Sequence, residues 1–159
     1  MKRLISILLA LMCLTAGIAS AESVGMPPNV VIAGTVQISI PVDEVDVKVY
    51  LENPFENVGW YNLVYELWAA LPVNQVAEGV ETKLVTVNDD EGNVINETLY
   101  AKLFVSDYIA PGNILTSVKL TQPVPKGNYE AFLDVQPYYI ENGVPTSNNV
   151  RLHITLIAR

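Results

Sequence analysis

Residues 111–133 read PGNILTSVKLTQPVPKGNYEAFL, with turn signals Pro111-Gly112 and Lys126-Gly127-Asn128 on either side of an alternating apolar run. Glycine supplies the positive backbone angle that tight turns require, and proline and asparagine favour the same positions. Between the turns Ile114, Thr116, Val118 and Leu120 alternate with polar partners, and after them Tyr129, Ala131, Leu133 and Val135 do the same. A period of two puts each set on one face of a half-buried strand.

The same period runs through most of the chain. Val36, Ile38 and Ile40 oppose Thr35, Gln37 and Ser39; Val45, Val47, Val49 and Leu51 oppose Asp46, Lys48 and Tyr50. Leu63, Tyr65 and Leu67 form another set, as do Val150, Leu152, Ile154 and Leu156. TKLVTV and LYAKLFV bracket NDDEGN as a hairpin with a charged tip around Gly92. Only VYELWAAL (64–71) leaves room for a turn or two of helix. The ten prolines fall between these runs or at their margins, where no ladder hydrogen bond is lost. Seven to nine strands, each with one apolar face, predict two antiparallel sheets packed as a sandwich over residues 30–159.

PKGNYEAFLDV (125–135) resembles the tyrosine corner of immunoglobulin-like sandwiches, with Gly127 at the turn and Tyr129 opening the next strand. The resemblance implies a tyrosine ring under the turn and a hydroxyl bonded to backbone a few residues upstream. Ala131 stands where an antibody domain carries its second cysteine, which points to a bacterial-type or fibronectin-type relative. With LENPFEN, SDYIAPGNILTSVKL and PTSNNVRLHITL, the pattern over residues 45–157 resembles the small secreted immunoglobulin-like β-sandwich proteins of Gram-positive bacteria. That likeness implies a fold and carries no catalytic residue across.

MKRLISILLALMCLTAGIASA (1–21) has a basic start, roughly a dozen apolar residues and an Ala19-Ser20-Ala21 cleavage site, the pattern of a secretory signal peptide. Thr15 and Gly17 break the apolar run short of the about 20 residues a membrane span needs. Residues 22–29, with Pro27-Pro28, read as a flexible leader. Cleavage removes Cys13, the only cysteine, and leaves a 138-residue single domain without disulfides. It also leaves seven basic against 17 acidic residues, a side-chain charge of −10. A field of that sign repels nucleic acid and anionic membrane surfaces.

Catalytic groups are scarce. His153 is the single histidine and faces away from Leu152 and Ile154 in its strand, so a paired base for nucleophilic chemistry is missing. Catalytic zinc asks for three ligands rich in His or Cys. In NDDEGN an EF-hand register with Gly92 sixth would begin at Val87, which has no ligand atom. Asp43, Glu44 and Asp46 leave open a carboxylate-dependent hydrolase, against the reading of an edge-protecting charge cluster. Asn96-Glu97-Thr98 fits a glycosylation acceptor.

No cofactor or metal is expected, and the sequence points to binding rather than turnover. Trp60-Tyr61 after Gly59, and Tyr138-Tyr139, are the candidate contacts for a protein or glycan at the cell envelope, because aromatic rings give large contact area at low entropic cost. Core or corner roles are expected for Tyr65 and Tyr129. A second reading is assembly, with residues 30–40 of NVVIAGTVQISI added as an edge strand to another chain.

Overall fold

A computed structural model describes residues 29–159. The expected signal peptide, and the leader up to Pro28, lie outside the described residues. Eight strands follow in order: β1 (Gln37–Ile40), β2 (Asp46–Glu52), β3 (Tyr61–Ala69), β4 (Thr82–Asn88), β5 (Val94–Val105), β6 (Ile114–Lys119), β7 (Gly127–Tyr139) and β8 (Val150–Ala158). Single 3₁₀ turns at Phe55–Asn57 and Val73–Gln75 flank β3. VYELWAAL supplies most of β3 and no helix, since Leu63, Tyr65 and Leu67 fill the core at period two.

The strands make a six-stranded sheet, ordered β1-β8-β7-β3-β5-β4, and a two-stranded sheet, β2-β6. The core between them gathers Val47 and Leu51 from β2, Leu63, Tyr65 and Leu67 from β3, Leu103 from β5, Leu133 and Val135 from β7, and Ile154 and Leu156 from β8. The order β8-β7-β3 against β2-β6 is that of strands G, F, C against B and E in an immunoglobulin-type sandwich. Here β5 and β4 widen the β3 side of the larger sheet.

Two expectations are corrected. The sheets are not wholly antiparallel, because β1 runs parallel to β8, with Gln37 opposite Thr155 and Ile40 opposite Ala158. An apolar period carries no strand direction, so TVQISI could not reveal this. In β6 the inward residues are Leu115 and Val118, not Ile114 and Thr116. A register shift between Lys48 and Leu51 of β2 leaves two residues opposite one and turns the neighbouring strand's faces over.

Buried amides hold the ends of the sandwich. Asn53 and Asn57, at 0% and 1% exposure, belong to the LENPFEN stretch. Asn53 Nδ2 donates to the carbonyls of Tyr61 (3.0 Å) and Ile109 (2.6 Å). Asn57 Nδ2 donates to Asn53 Oδ1 (2.8 Å) and to Val31 O (2.7 Å), while Val31 N–H donates to Asn57 Oδ1 (2.9 Å). A side-chain amide thus pairs with the Val31 backbone as a neighbouring strand would, and fixes the chain ahead of β1. Among the described residues no buried side-chain polar atom lacks a partner.

Candidate functional site

The turn before β7 shows why glycine stands at 127. Tyr129 Oη donates to Pro125 O at 2.8 Å, and a Cβ on Gly127 would lie 2.9 Å from both Cζ and Oη of that ring. Contacts that short are absent from real packing, so the hydroxyl, ring and bare glycine form one unit. Tyr65, 1% exposed, donates its hydroxyl to Glu52 O at 2.7 Å, and burial with the Glu52 charge pushes its pKa to about 12.

The four aromatic candidates do not meet in one place. Tyr138 and Tyr139 are consecutive in a strand and project to opposite faces. Tyr139 is paired with Tyr61 across β7 and β3, ring centroids 5.5 Å apart and tilted 41°. Tyr138 meets Tyr108 edge-on at 4.9 Å on the other face. Trp60 is half-buried, and its backbone N–H donates to Asn57 O while its carbonyl accepts from Ile140 N–H.

Tyr61 and Tyr139 line a groove of about 330 Å³ at the end of the sandwich. Its floor continues with Pro137, Val30 and Val150, and its rim carries Thr146, Ser147, Asn148 and Asn29. The rim is held by the chain between β7 and β8 folding back. Tyr139 N–H donates to Val144 O, Thr146 N–H to Pro137 O, and Gln136 Nε2 to Thr146 O. Gly143 sits at φ 67° in that turn, where glycine avoids the steric cost a side chain would add. Among the described residues no charged side chain lines the groove. Tyr61 is 4% exposed, and burial, then the neighbouring Tyr139, raises its pKa, so it remains a neutral phenol at physiological pH.

A further aromatic cluster is absent from the sequence reading. On the outer face of the large sheet Trp68, Phe132 and Tyr100 are 3%, 1% and 3% exposed although no second layer of the described residues covers them. Their cover is a lattice of charges. Arg151 lies 3.9 Å above the Phe132 ring and grips Asp134 with two bonds of 2.7 and 2.8 Å. Lys102 lies 4.7 Å above Trp68, 2.8 Å from Glu81 and 3.5 Å from Glu66. Burial works to lower the Lys102 pKa, and its bonds to Glu81 and Glu66 outweigh that and raise it. Tyr100 donates to Glu130 Oε1 at 2.5 Å, and burial together with that bond pushes its pKa to about 12. Every charged head here has a partner, so the cluster is a second packed unit rather than an open site.

The other candidate groups lie apart. Asp43, Glu44 and Asp46 are all exposed, with Asp46 opposite Lys119 across β2 and β6. His153 is exposed and stands opposite Phe132 in the ladder. In the NDDEGN tip Asp89 accepts from the Glu91 and Asn93 N–H groups and from Asn93 Nδ2, and the Asn93 bonds lower its pKa. Among the described residues no group of three or more His, Cys, Asp or Glu is arranged to hold a metal, and no helix is long and apolar enough to cross a membrane.

No protein-family model and no curated protein matches the chain. Among solved structures it is similar to the ASH/PapD-like domain of human CEP192, PapD-like domain 7, at 16% identity and a TM-score of 0.35, over 81% of this chain and 84% of that one. A likeness of that degree decides nothing about site or partner, and the sandwich assignment rests on the strand register.

Proposed function

We propose that the protein is an exported, non-catalytic binding module that takes a neutral glycan in the groove between Tyr61 and Tyr139. The observation that carries the reading is the lining itself: two phenol rings 5.5 Å apart, side-chain amides and hydroxyls at the rim, and no charge. Sugars present an apolar ring face and a belt of hydroxyls, which rings and amides complement without a net field. A chain of net charge −8 would repel acidic ligands. Export and a Gram-positive source belong to the same proposal, and they rest on the leader pattern and the resemblance described above.

Residues 30–40 favour the module over the strand donor. β1 is already paired with β8 of its own chain, and Asn57 clasps Val31. The test is a glycan array probed with the wild-type chain and with Tyr139→Ala. Binding of a neutral saccharide that Tyr139→Ala abolishes, with NMR shifts at Thr146 and Asn148, is the expected result. Recognition of proteins only, or glycan binding unaffected by Tyr139→Ala, overturns the assignment.

A further inference from the structure

The two layers differ in width, and the difference falls on β4 and β5. Ala101–Val105 is the part of β5 within its ladder to β3, whereas residues 94–100 pair with β4 alone. The two strands therefore leave the sandwich as a ribbon, with Leu84, Val87, Val94 and Ile95 exposed by 51–65%. Among the described residues no strand lies on the far side of β4. The bond from Lys102 N–H to Glu81 O fixes the phase of the antiparallel ladder. Lys83, Val85 and Val87 turn their backbone groups toward β5, so those of Leu84 and Thr86 face the open side.

Natural edges are guarded by shortness, proline, bulges or charge. β4 has seven residues, no proline and one charged side chain, Lys83. That lysine lies back over Trp68 at 5.6 Å and 3.8 Å from Asp134. At the other edge of the same sheet β1 is only four residues long.

We propose that β4 joins β4 of a second copy, antiparallel about a two-fold axis at Thr86, to make a sheet that runs through both molecules. A strand paired antiparallel with itself closes as a dimer, which a strand from an unrelated chain has no reason to do. Opposed side chains must share a face, so the axis passes at Leu84, Val85 or Thr86. At Val85 it would set Glu81 against Asp89 of the second copy, two like charges. At Leu84 it would leave Lys83 against a valine. At Thr86 it sets Val85 against Val87, a stripe of four valines, and brings Lys83, which would swing from its place 3.8 Å from Asp134, opposite Asp89 of the second copy, with opposite charges at each end. The open backbone groups of Thr86 then meet their own copies.

The experiment is sedimentation of the full chain across a wide concentration range at physiological salt, which screens the net negative charge. The wild type is expected to dimerise reversibly. Thr86→Cys, in a Cys13→Ser background, forms a disulfide-linked dimer, since Cα atoms of a hydrogen-bonded antiparallel pair lie about 5.5 Å apart. Thr86→Pro removes an outward N–H without touching the β5 ladder and weakens the dimer at least about tenfold. Thr86→Asp opposes two like charges and does the same should the proline variant fail to fold. Monomers at every concentration, a dimer indifferent to both substitutions, or no cross-link at position 86 each overturn the proposal.

Discussion

Two aromatic groupings, Trp68, Phe132 and Tyr100 on β3, β7 and β5 and Tyr61 with Tyr139 on β3 and β7, differ in what surrounds them. Trp68, Phe132 and Tyr100 sit on an uncovered sheet face and are almost wholly buried, because charged side chains lie flat across them. Tyr61 and Tyr139 sit at the end of the core and line a groove whose rim carries no charge to fold over it. Charged neighbours close over the first grouping, and amides and hydroxyls border the second.

The largest expected break in this comparison is Phe132→Ala. It removes the ring under Arg151 and beside Trp68 and Tyr100, and should lower the unfolding free energy by about 3–5 kcal/mol in urea melts. Arg151→Met keeps the aliphatic cover but leaves the buried Asp134 with only Lys83 at 3.8 Å. Because the arginine side chain is 30% exposed, the loss should be about 2 kcal/mol rather than the full cost of breaking a buried pair.

A pH series sharpens the contrast next. Tyr100 and Tyr65 have folded pKa values of about 12 against 10 in the unfolded chain. The folded state holds these protons more tightly, so their contribution is complete below pH 10 and is lost as pH rises toward 12. Urea midpoints should fall across that window, and less steeply in Tyr65→Phe and Tyr100→Phe. The smallest stability effect belongs to Tyr139→Ala, below about 1 kcal/mol for a half-exposed ring. On the proposed reading the same substitution should remove ligand binding entirely in the glycan array, while Phe132→Ala acts on stability.

The faces of β3, β7 and β8, the turns and the Tyr129 region were legible because each is written in a short span, while the β6 face was turned over by the β2 bulge. Gly127 and Tyr129 are two residues apart, and the core faces of β3, β7 and β8 follow a period of two. The outer cluster was not legible, since Trp68 and Phe132 meet only through the β3–β7 register, with no local signal linking them. The grouping of the aromatic candidates was not legible for a related reason: Tyr138 and Tyr139 are adjacent in sequence, and in a strand adjacent side chains diverge. Tyr108, 57% exposed in SDYIAPGN, carries no local signal because its partner Tyr138 lies in a distant strand. The parallel β1–β8 pair and the β2 bulge depend on strand direction and register, which hydrophobic pattern leaves open.

The clasp at position 57 imposes an exacting chemical demand. One planar group must offer two hydrogens, to Val31 O and Asn53 Oδ1, and one lone pair to Val31 N–H. Aspartate has the same outline but would turn oxygen toward two oxygens, and glutamine is a methylene too long. The planar amide at this one position therefore fastens the front of the chain, and neither of its two nearest chemical relatives could take its place.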